Sequence, residues 1–257
     1  MTKRFLPYWG DRWAGAESTM FCLPHLGGGA SAFYEWTKER GSPAVQPVQL
    51  PGREDLFHLP LVDDMNQLVE RLGVEIGEAA RRPFVLFGHS MGAAIAAELT
   101  AWLHRTGAVL PELLVVSAAA PVPAITERER RRGSVGTLAD EEIIAEIMAM
   151  GGTSEEILGD GELRELVLEV VRSDLRMMEN YRPTFAKLPV PLLVLGGAAD
   201  DTVTTRELSL WREHTDLGWR AHTLPGGHFY LREQIKEVLA LVAGALSGLP
   251  QAVSSER

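Results

Sequence analysis

Phe84-Val85-Leu86-Phe87-Gly88-His89-Ser90-Met91-Gly92-Ala93-Ala94-Ile95-Ala96-Ala97-Glu98-Leu99 decides how the rest of this chain is read. Four large apolar residues in a row have the length and character of a strand buried on both faces, and the alanine-rich run after Gly92 suits a helix. Between them stands G-x-S-x-G. A serine on so short a strand-to-helix turn is lifted clear of the sheet, and glycines flank it because side chains there would strike neighbouring backbone. The free N–H groups of the helix N-terminus lie behind the serine, where they can meet developing negative charge. The pattern predicts a nucleophilic Ser90.

Outward from this turn, short apolar runs bounded by Gly or Pro predict further strands. They cover Met20 to Leu23, Val45 to Leu50, Leu113 to Ser117, Leu192 to Leu195 and Arg220 to Leu224. Helical periodicity covers Met65 to Ala80, with Asp63 or Asp64 as N-cap, then Met91 to Leu103, Thr205 to His214 and Gln234 to Leu246. Strands alternating with helices argue for an α/β fold with a mostly parallel central sheet flanked by helices. Pro121 to Pro189 breaks the rhythm: it holds no strand pattern, only helical ones at Asp140 to Met150 and Glu162 to Tyr181. Ile143, Ile144, Ile147 and Met148 form the inward stripe of the first. This segment reads as an inserted helical lid over about residues 122–188, within a single domain spanning 1–257 whose last residues, 248–257, form a disordered tail.

Bulk properties narrow the function classes. A chain of 257 residues with 46% hydrophobic residues can bury one large core. The net charge of −10 opposes nucleic acid and anionic lipid as main partners. No apolar run approaches the roughly 20 residues that cross a bilayer. The start, MTKRFLPYWGDRW, has no apolar centre of the signal-peptide kind, so a cytoplasmic location is expected. A single cysteine, Cys22, excludes an internal disulfide and any multi-cysteine metal site.

A serine hydroxyl needs a base to remove its proton, and the base needs a carboxylate to fix its tautomer. On this fold the order along the chain is serine, acid, histidine. His104, His214, His222 and His228 follow Ser90, and His228 alone sits in a Gly-rich loop after a strand, Leu224-Pro225-Gly226-Gly227-His228. His228 is therefore the candidate base. The acid belongs just beyond Leu192 to Leu195, where Asp200 and Asp201 are adjacent; the spacing Gly197-x-x-Asp-x-x-Val203 favours Asp200 and leaves Asp201 a loop or cap role. Early in the chain, Pro24-His25-Leu26-Gly27-Gly28-Gly29 follows the first strand and suits the loop that supplies an oxyanion-hole donor. The two donors are assigned to the backbone N–H groups of Leu26 and Met91. A phosphate cradle would need Lys and Ser/Thr directly after the last glycine in the P-loop arrangement, and this loop does not have it. His25 is expected to hold the loop by hydrogen bonds.

Together these motifs resemble those of the type II thioesterases, the separate editing hydrolases that accompany polyketide synthases and non-ribosomal peptide synthetases. The matching pieces are Pro24-His25 with Gly27-Gly28, Leu50-Pro51-Gly52-Arg53-Glu54, Gly88 to Gly92, Gly197 to Val203, Trp211-Arg212 and Leu224 to Phe229. The resemblance implies the α/β-hydrolase fold with a helical lid. It also implies hydrolysis of acyl groups from the phosphopantetheine arm of an acyl carrier protein or peptidyl carrier protein. Small acyl thioesters are expected as simpler substrates, and the serine mechanism calls for no metal or other cofactor. A monomer is expected. Three positions depart from the family pattern: Leu26 where alanine is usual, Gly29 where serine is common, and Asp201 where proline follows the acid.

Two weaker features lie in the insertion. Met148, Met150, Met177 and Met178 are adaptable side chains that could line an acyl pocket, or simply pack the insertion on the body. Arg128, Arg131 and Arg132 make a basic run in an acidic protein and are candidate docking residues for an acidic carrier, although a solvated helix face explains them equally. The triad by itself also fits an oxygen-ester hydrolase, an acyltransferase or a binding protein built on a hydrolase fold. The loop motifs are what favour a thioester.

Overall fold

The computed structural model describes residues 5–7, 16–41, 43–80, 83–121, 138–150 and 159–248. Six strands form one sheet: β1 (Thr19–Leu23), β2 (Ala44–Pro47), β3 (Phe84–His89), β4 (Leu113–Ser117), β5 (Leu192–Gly197) and β6 (Trp219–Leu224). Every pairing is parallel, and the order across the sheet is β2-β1-β3-β4-β5-β6. β1 to β5 are buried along almost their whole length and are mostly apolar, whereas β6 closes the sheet as an exposed edge. The chain runs outward from β1 to β2, then crosses back to β3 and continues the other way. The reversal between β1 and β3 leaves a crevice at the carboxyl ends of these strands, where ligands of such sheets are bound.

The helices follow the apolar stripes. In α1 (Met65–Ala79), Met65, Leu68, Val69, Leu72 and Ile76 are buried, and the Asp64 side chain caps the first turn by accepting from the Gln67 N–H at 2.7 Å. α2 (Met91–Arg105) is buried almost all round, so its alanines serve close packing in the centre of the molecule. α3 (Asp140–Met150) and α4 (Gly161–Asn180) lie in the connection from β4 to β5, where the sequence places its insertion. α5 (Thr205–Ser209) opens with a capping box between Thr204 and Glu207 and runs on as a 3-10 turn to His214, and α6 (Ile235–Ser247) returns along the sheet. No described helix is long and apolar enough to cross a membrane.

Two apolar clusters result. The large one spans the sheet, α1, α2, α5 and α6; the small one joins Ile143 and Ile147 of α3 to Leu168, Val171 and Leu175 of α4. Met148 points outward, in contrast to the inward stripe expected for it, because Ile143 and Ile147 one turn apart already fill the contact with α4. The far end of α4 is tied to the body: Tyr181 at its C-terminus donates its hydroxyl to the fully buried Glu98 carboxylate of α2 at 3.0 Å, and the Thr184 N–H reaches the same carboxylate at 3.1 Å.

Candidate active site

β3 ends in a turn that only small neighbours permit. Ser90 has φ 56 and ψ −121, a conformation costly for a residue with a side chain, and the turn compels it. A Cβ on Gly88 would lie 2.1 Å from the Gly92 carbonyl oxygen, and one on Gly92 would lie 2.2 Å from that of Leu23. The Ser90 N–H is fixed to the Ser117 carbonyl at 2.8 Å, which ties the turn to the end of β4. Met91 is the first residue of α2, so its N–H has no carbonyl one turn earlier to accept it.

The histidine and the acid come from adjacent strand ends. The loops after β5 and β6 are clamped together by Ala198 N–H to Leu224 O and Ala199 N–H to Gly226 O, each 2.8 Å. Gly197 must be glycine, since its Cβ would fall 2.1 Å from the Gly227 carbonyl. His228 Nδ1 then lies 2.9 Å from Asp200 Oδ2, and His228 Nε2 lies 3.0 Å from Ser90 Oγ. The other carboxylate oxygen, Oδ1, accepts from the Thr202 hydroxyl at 2.6 Å and the Thr202 N–H at 2.8 Å. With its proton given to Asp200, the Thr202 oxygen is an acceptor for the His228 Nδ1–H, 2.8 Å away. This arrangement puts the imidazole proton on Nδ1 and leaves Nε2 to accept from Ser90. Burial opposes the charge on Asp200, but hydrogen bonds from His228 and Thr202 outweigh it and hold the carboxyl below its usual range. Asp201, the other candidate, is exposed.

β3 and β6 are separated by two strands, so the His228 loop must fold back across the sheet end. Tyr230 anchors it: the Tyr230 hydroxyl lies 2.7 Å from Ser117 Oγ, which lies 2.9 Å from His89 Nδ1. His89 and His25 both pack near His228, and burial drives His89 far below the ordinary histidine value and His25 down to about 3. Both rings stay neutral, so the imidazolium that forms on His228 has no like-charged ring beside it. The support expected of His25 takes a different form: its ring meets Phe229 edge-on at 4.7 Å, in space opened by Gly28, whose Cβ would lie 2.8 Å from that ring.

The loop after β1 runs beside Ser90 because Leu23 is in register with Gly88. Gly28 N–H closes a turn onto His25 O at 2.9 Å, with Leu26 and Gly27 at its centre, and the Leu26 N–H has no acceptor among the described residues. The segment beyond is held by the side chains of Gln49 and Glu54, which flank the Leu50–Arg53 turn. Gln49 Oε1 accepts from the Ala30 N–H at 3.1 Å, while Glu54 accepts from the Ser31 N–H and hydroxyl at 3.1 and 2.5 Å. A Cβ on Gly29 would sit 2.4 Å from the Glu54 carboxyl carbon, so a larger residue there would require the end of the Glu54 side chain to shift. The Leu26 side chain packs between the main core and the α3–α4 cluster, so the enlarged residue at this position fills space beneath the insertion.

Arg128, Arg131 and Arg132 lie outside the described residues, as does the side chain of Met150. Met177 and Met178 are buried in the main core. They pack the insertion onto the body, and with Met148 exposed the methionine lining is not formed by the described side chains. Sequence reasoning passed over Thr202, Ser117, Tyr230 and the pair Arg53 with Asp174. Arg53 stands in the Leu50–Glu54 motif, but nothing local in the sequence marks it as buried or names its partner; the fold reveals both.

Residues 18–246 match the thioesterase domain family. The chain belongs to that family. This thioesterase is 36% identical over 229 residues to the thioesterase PikA5 of Streptomyces venezuelae, covering 85% of this chain and 77% of that protein. Among solved structures it is similar to the type II thioesterase BorB from the borrelidin biosynthetic cluster, with 36% identity, TM-score 0.76, and coverage of 90% of this chain and 93% of that one. It is also similar to the RedJ thioesterase from the prodiginine biosynthetic pathway in Streptomyces coelicolor, at 32% identity, TM-score 0.80, and coverage of 90% and 86%. The α/β-hydrolase fold and thioester hydrolysis follow from this membership, as the motifs led one to expect.

Proposed function

We propose that this thioesterase removes acyl groups from the phosphopantetheine arm of an acyl or peptidyl carrier protein, clearing stalled or aberrant chains from a synthase. The unbroken line Asp200–His228–Ser90, with bonds of 2.9 and 3.0 Å, is the observation that carries the chemistry. His228 Nε2 takes the Ser90 proton as Oγ attacks the thioester carbonyl, and the N–H groups of Leu26 and Met91 receive the oxyanion. The C–S bond breaks, the imidazolium of His228 returns the proton to the departing thiolate, and the acyl group rests on Ser90. Water then attacks with His228 as base, releasing a carboxylic acid and free serine. These steps draw on the chain's own residues, without a metal or organic cofactor.

The carrier-bound substrate is supported by the likeness to a type II thioesterase of a biosynthetic cluster. The α3–α4 insertion serves as a lid beneath which the acyl chain lies against Leu26. Intact-mass spectrometry of carrier proteins loaded with acetyl, propionyl or longer acyl groups tests the reading. Loss of the acyl mass with wild-type protein and its retention with Ser90→Ala is expected. An untouched carrier alongside brisk cleavage of a nitrophenyl ester would overturn the carrier substrate while keeping the hydrolase.

A further inference from the structure

The turn His25-Leu26-Gly27-Gly28 has a feature that the triad does not use. Gly27 has φ +76 as the third residue of a turn closed by Gly28 N–H to His25 O, which is the type II geometry. Type I and type II turns share their ends and differ by a flip of the central peptide, here the one carrying the Leu26 carbonyl and the Gly27 N–H. That N–H donates to Asp174 Oδ2 of α4 at 2.8 Å, across 147 positions of sequence. A flipped turn would present the Leu26 carbonyl oxygen to the same carboxylate, so Asp174 selects one turn over the other by charge.

Asp174 is itself fixed. Arg53 grips it with two bonds of 2.7 Å, one from each terminal nitrogen, and Nη1 also donates to the Gly28 carbonyl at 3.2 Å. The two side chains are 6% and 1% exposed, so the pair is removed from water and its geometry is rigid. Val171, one turn earlier on α4, closes over the same spot, at 3.0 Å from where a Gly27 Cβ would be. Replacing a buried pair of this kind by apolar residues commonly costs little stability or adds some, so a role in fixing geometry is the stronger account of its presence.

We propose that Asp174 and Arg53 are positioning residues for the oxyanion hole: α4, although inserted far along the chain, anchors the turn through the Gly27 N–H and the Gly28 carbonyl and so keeps the adjoining Leu26 peptide in place beside Ser90. This inference rests on the oxyanion role given above to Leu26. A missing oxyanion donor slows acyl transfer by roughly a hundredfold to a thousandfold, and a loosened donor loses part of that. Asp174→Asn, which keeps the shape but cannot serve both Gly27 and Arg53 as a charged acceptor, should lower kcat by about 10- to 100-fold with KM nearly unchanged. Affinity for a trifluoromethyl ketone analogue of the substrate, which forms an oxyanion on Ser90, should fall by the same factor.

The measurement uses an acyl N-acetylcysteamine thioester with wild type, Asp174→Asn, the double variant Arg53→Met/Asp174→Leu, and Ser90→Ala as control. The double variant replaces the charged pair with apolar bulk and should remain folded while showing the same parallel loss of kcat and analogue affinity. Loss in KM alone, or kcat and analogue affinity at the wild-type level in either variant, overturns the inference. Turnover by wild type that survives in Ser90→Ala would instead overturn the catalytic reading on which it rests.

Discussion

Replacing Asp200 by asparagine should disable the enzyme through the tautomer of His228 while leaving the fold in place. Asparagine can still accept from the Thr202 N–H with its oxygen, as Asp200 Oδ1 does at 2.8 Å, which directs the new NH2 group toward His228 Nδ1. A donor facing Nδ1 forces that nitrogen to accept, so the ring proton moves to Nε2 and points at Ser90 Oγ, 3.0 Å away. The base is then unable to take the serine proton. Restoring the productive tautomer forfeits a charge-assisted hydrogen bond, worth about 1.5 to 3 kcal/mol, and sets two donors against each other at a similar cost. The sum, about 3 to 6 kcal/mol, corresponds to a fall in kcat of about 10^2 to 10^4. Thiol release from an acyl N-acetylcysteamine thioester measures it, with Asp201→Asn as companion, and the exposed Asp201 variant should stay within about twofold of wild type. Asp200→Asn retaining more than a tenth of wild-type kcat, or a large loss in Asp201→Asn, would refute the reasoning.

Further outcomes follow from neighbouring contacts. Tyr230→Phe removes the hydroxyl that joins Ser117 to the His228 loop and should cost about 1 to 2 kcal/mol in urea unfolding, with a several-fold drop in kcat as the loop loosens. Gly92→Ala drives a methyl group to 2.2 Å from the Leu23 carbonyl and 2.6 Å from that of Pro24, both backbone; about 3 kcal/mol of destabilisation and loss of turnover should be seen by calorimetry and assay. Stability should fall in mild acid. His25 binds a proton below about 3 when folded but near its ordinary value of 6.5 when unfolded, so the unfolded state gains protons first and stability is lost as pH drops below 6.5. The loss reaches on the order of 2 kcal/mol by pH 5, and urea titrations of His25→Gln should show a shallower decline than wild type.

Local sequence determined much of this protein. The run Phe84–Gly92 dictates a strand, a forced turn and a helix, because apolar length, glycine placement and alanine content act within a few residues. For the same reason the strand positions and the two helices of the insertion were legible, with ends shifted by only a few residues, and the cap of α1 was narrowed to Asp63 or Asp64, of which the fold uses Asp64. Ser90 and His228 stood out as well, since each sits in a glycine-bounded loop of recognisable spacing. Between Asp200 and Asp201 spacing gave a preference, and the fold decided by bringing Asp200 alone to His228 through the clamp between the β5 and β6 loops.

Tertiary structure decided what depends on distant residues meeting. Met148 shares the helical period of Ile143 and Ile147, yet the surface of α4 has room for only part of that stripe. Thr202 and Tyr230 are ordinary polar residues until the loops converge on Ser117 and Asp200. Arg53 and Asp174 lie 121 positions apart, and no periodicity or motif can pair them. Only the packing of α4 on the loop after β1 removes both charges from water, and that burial is what makes their contact with Gly27 specific.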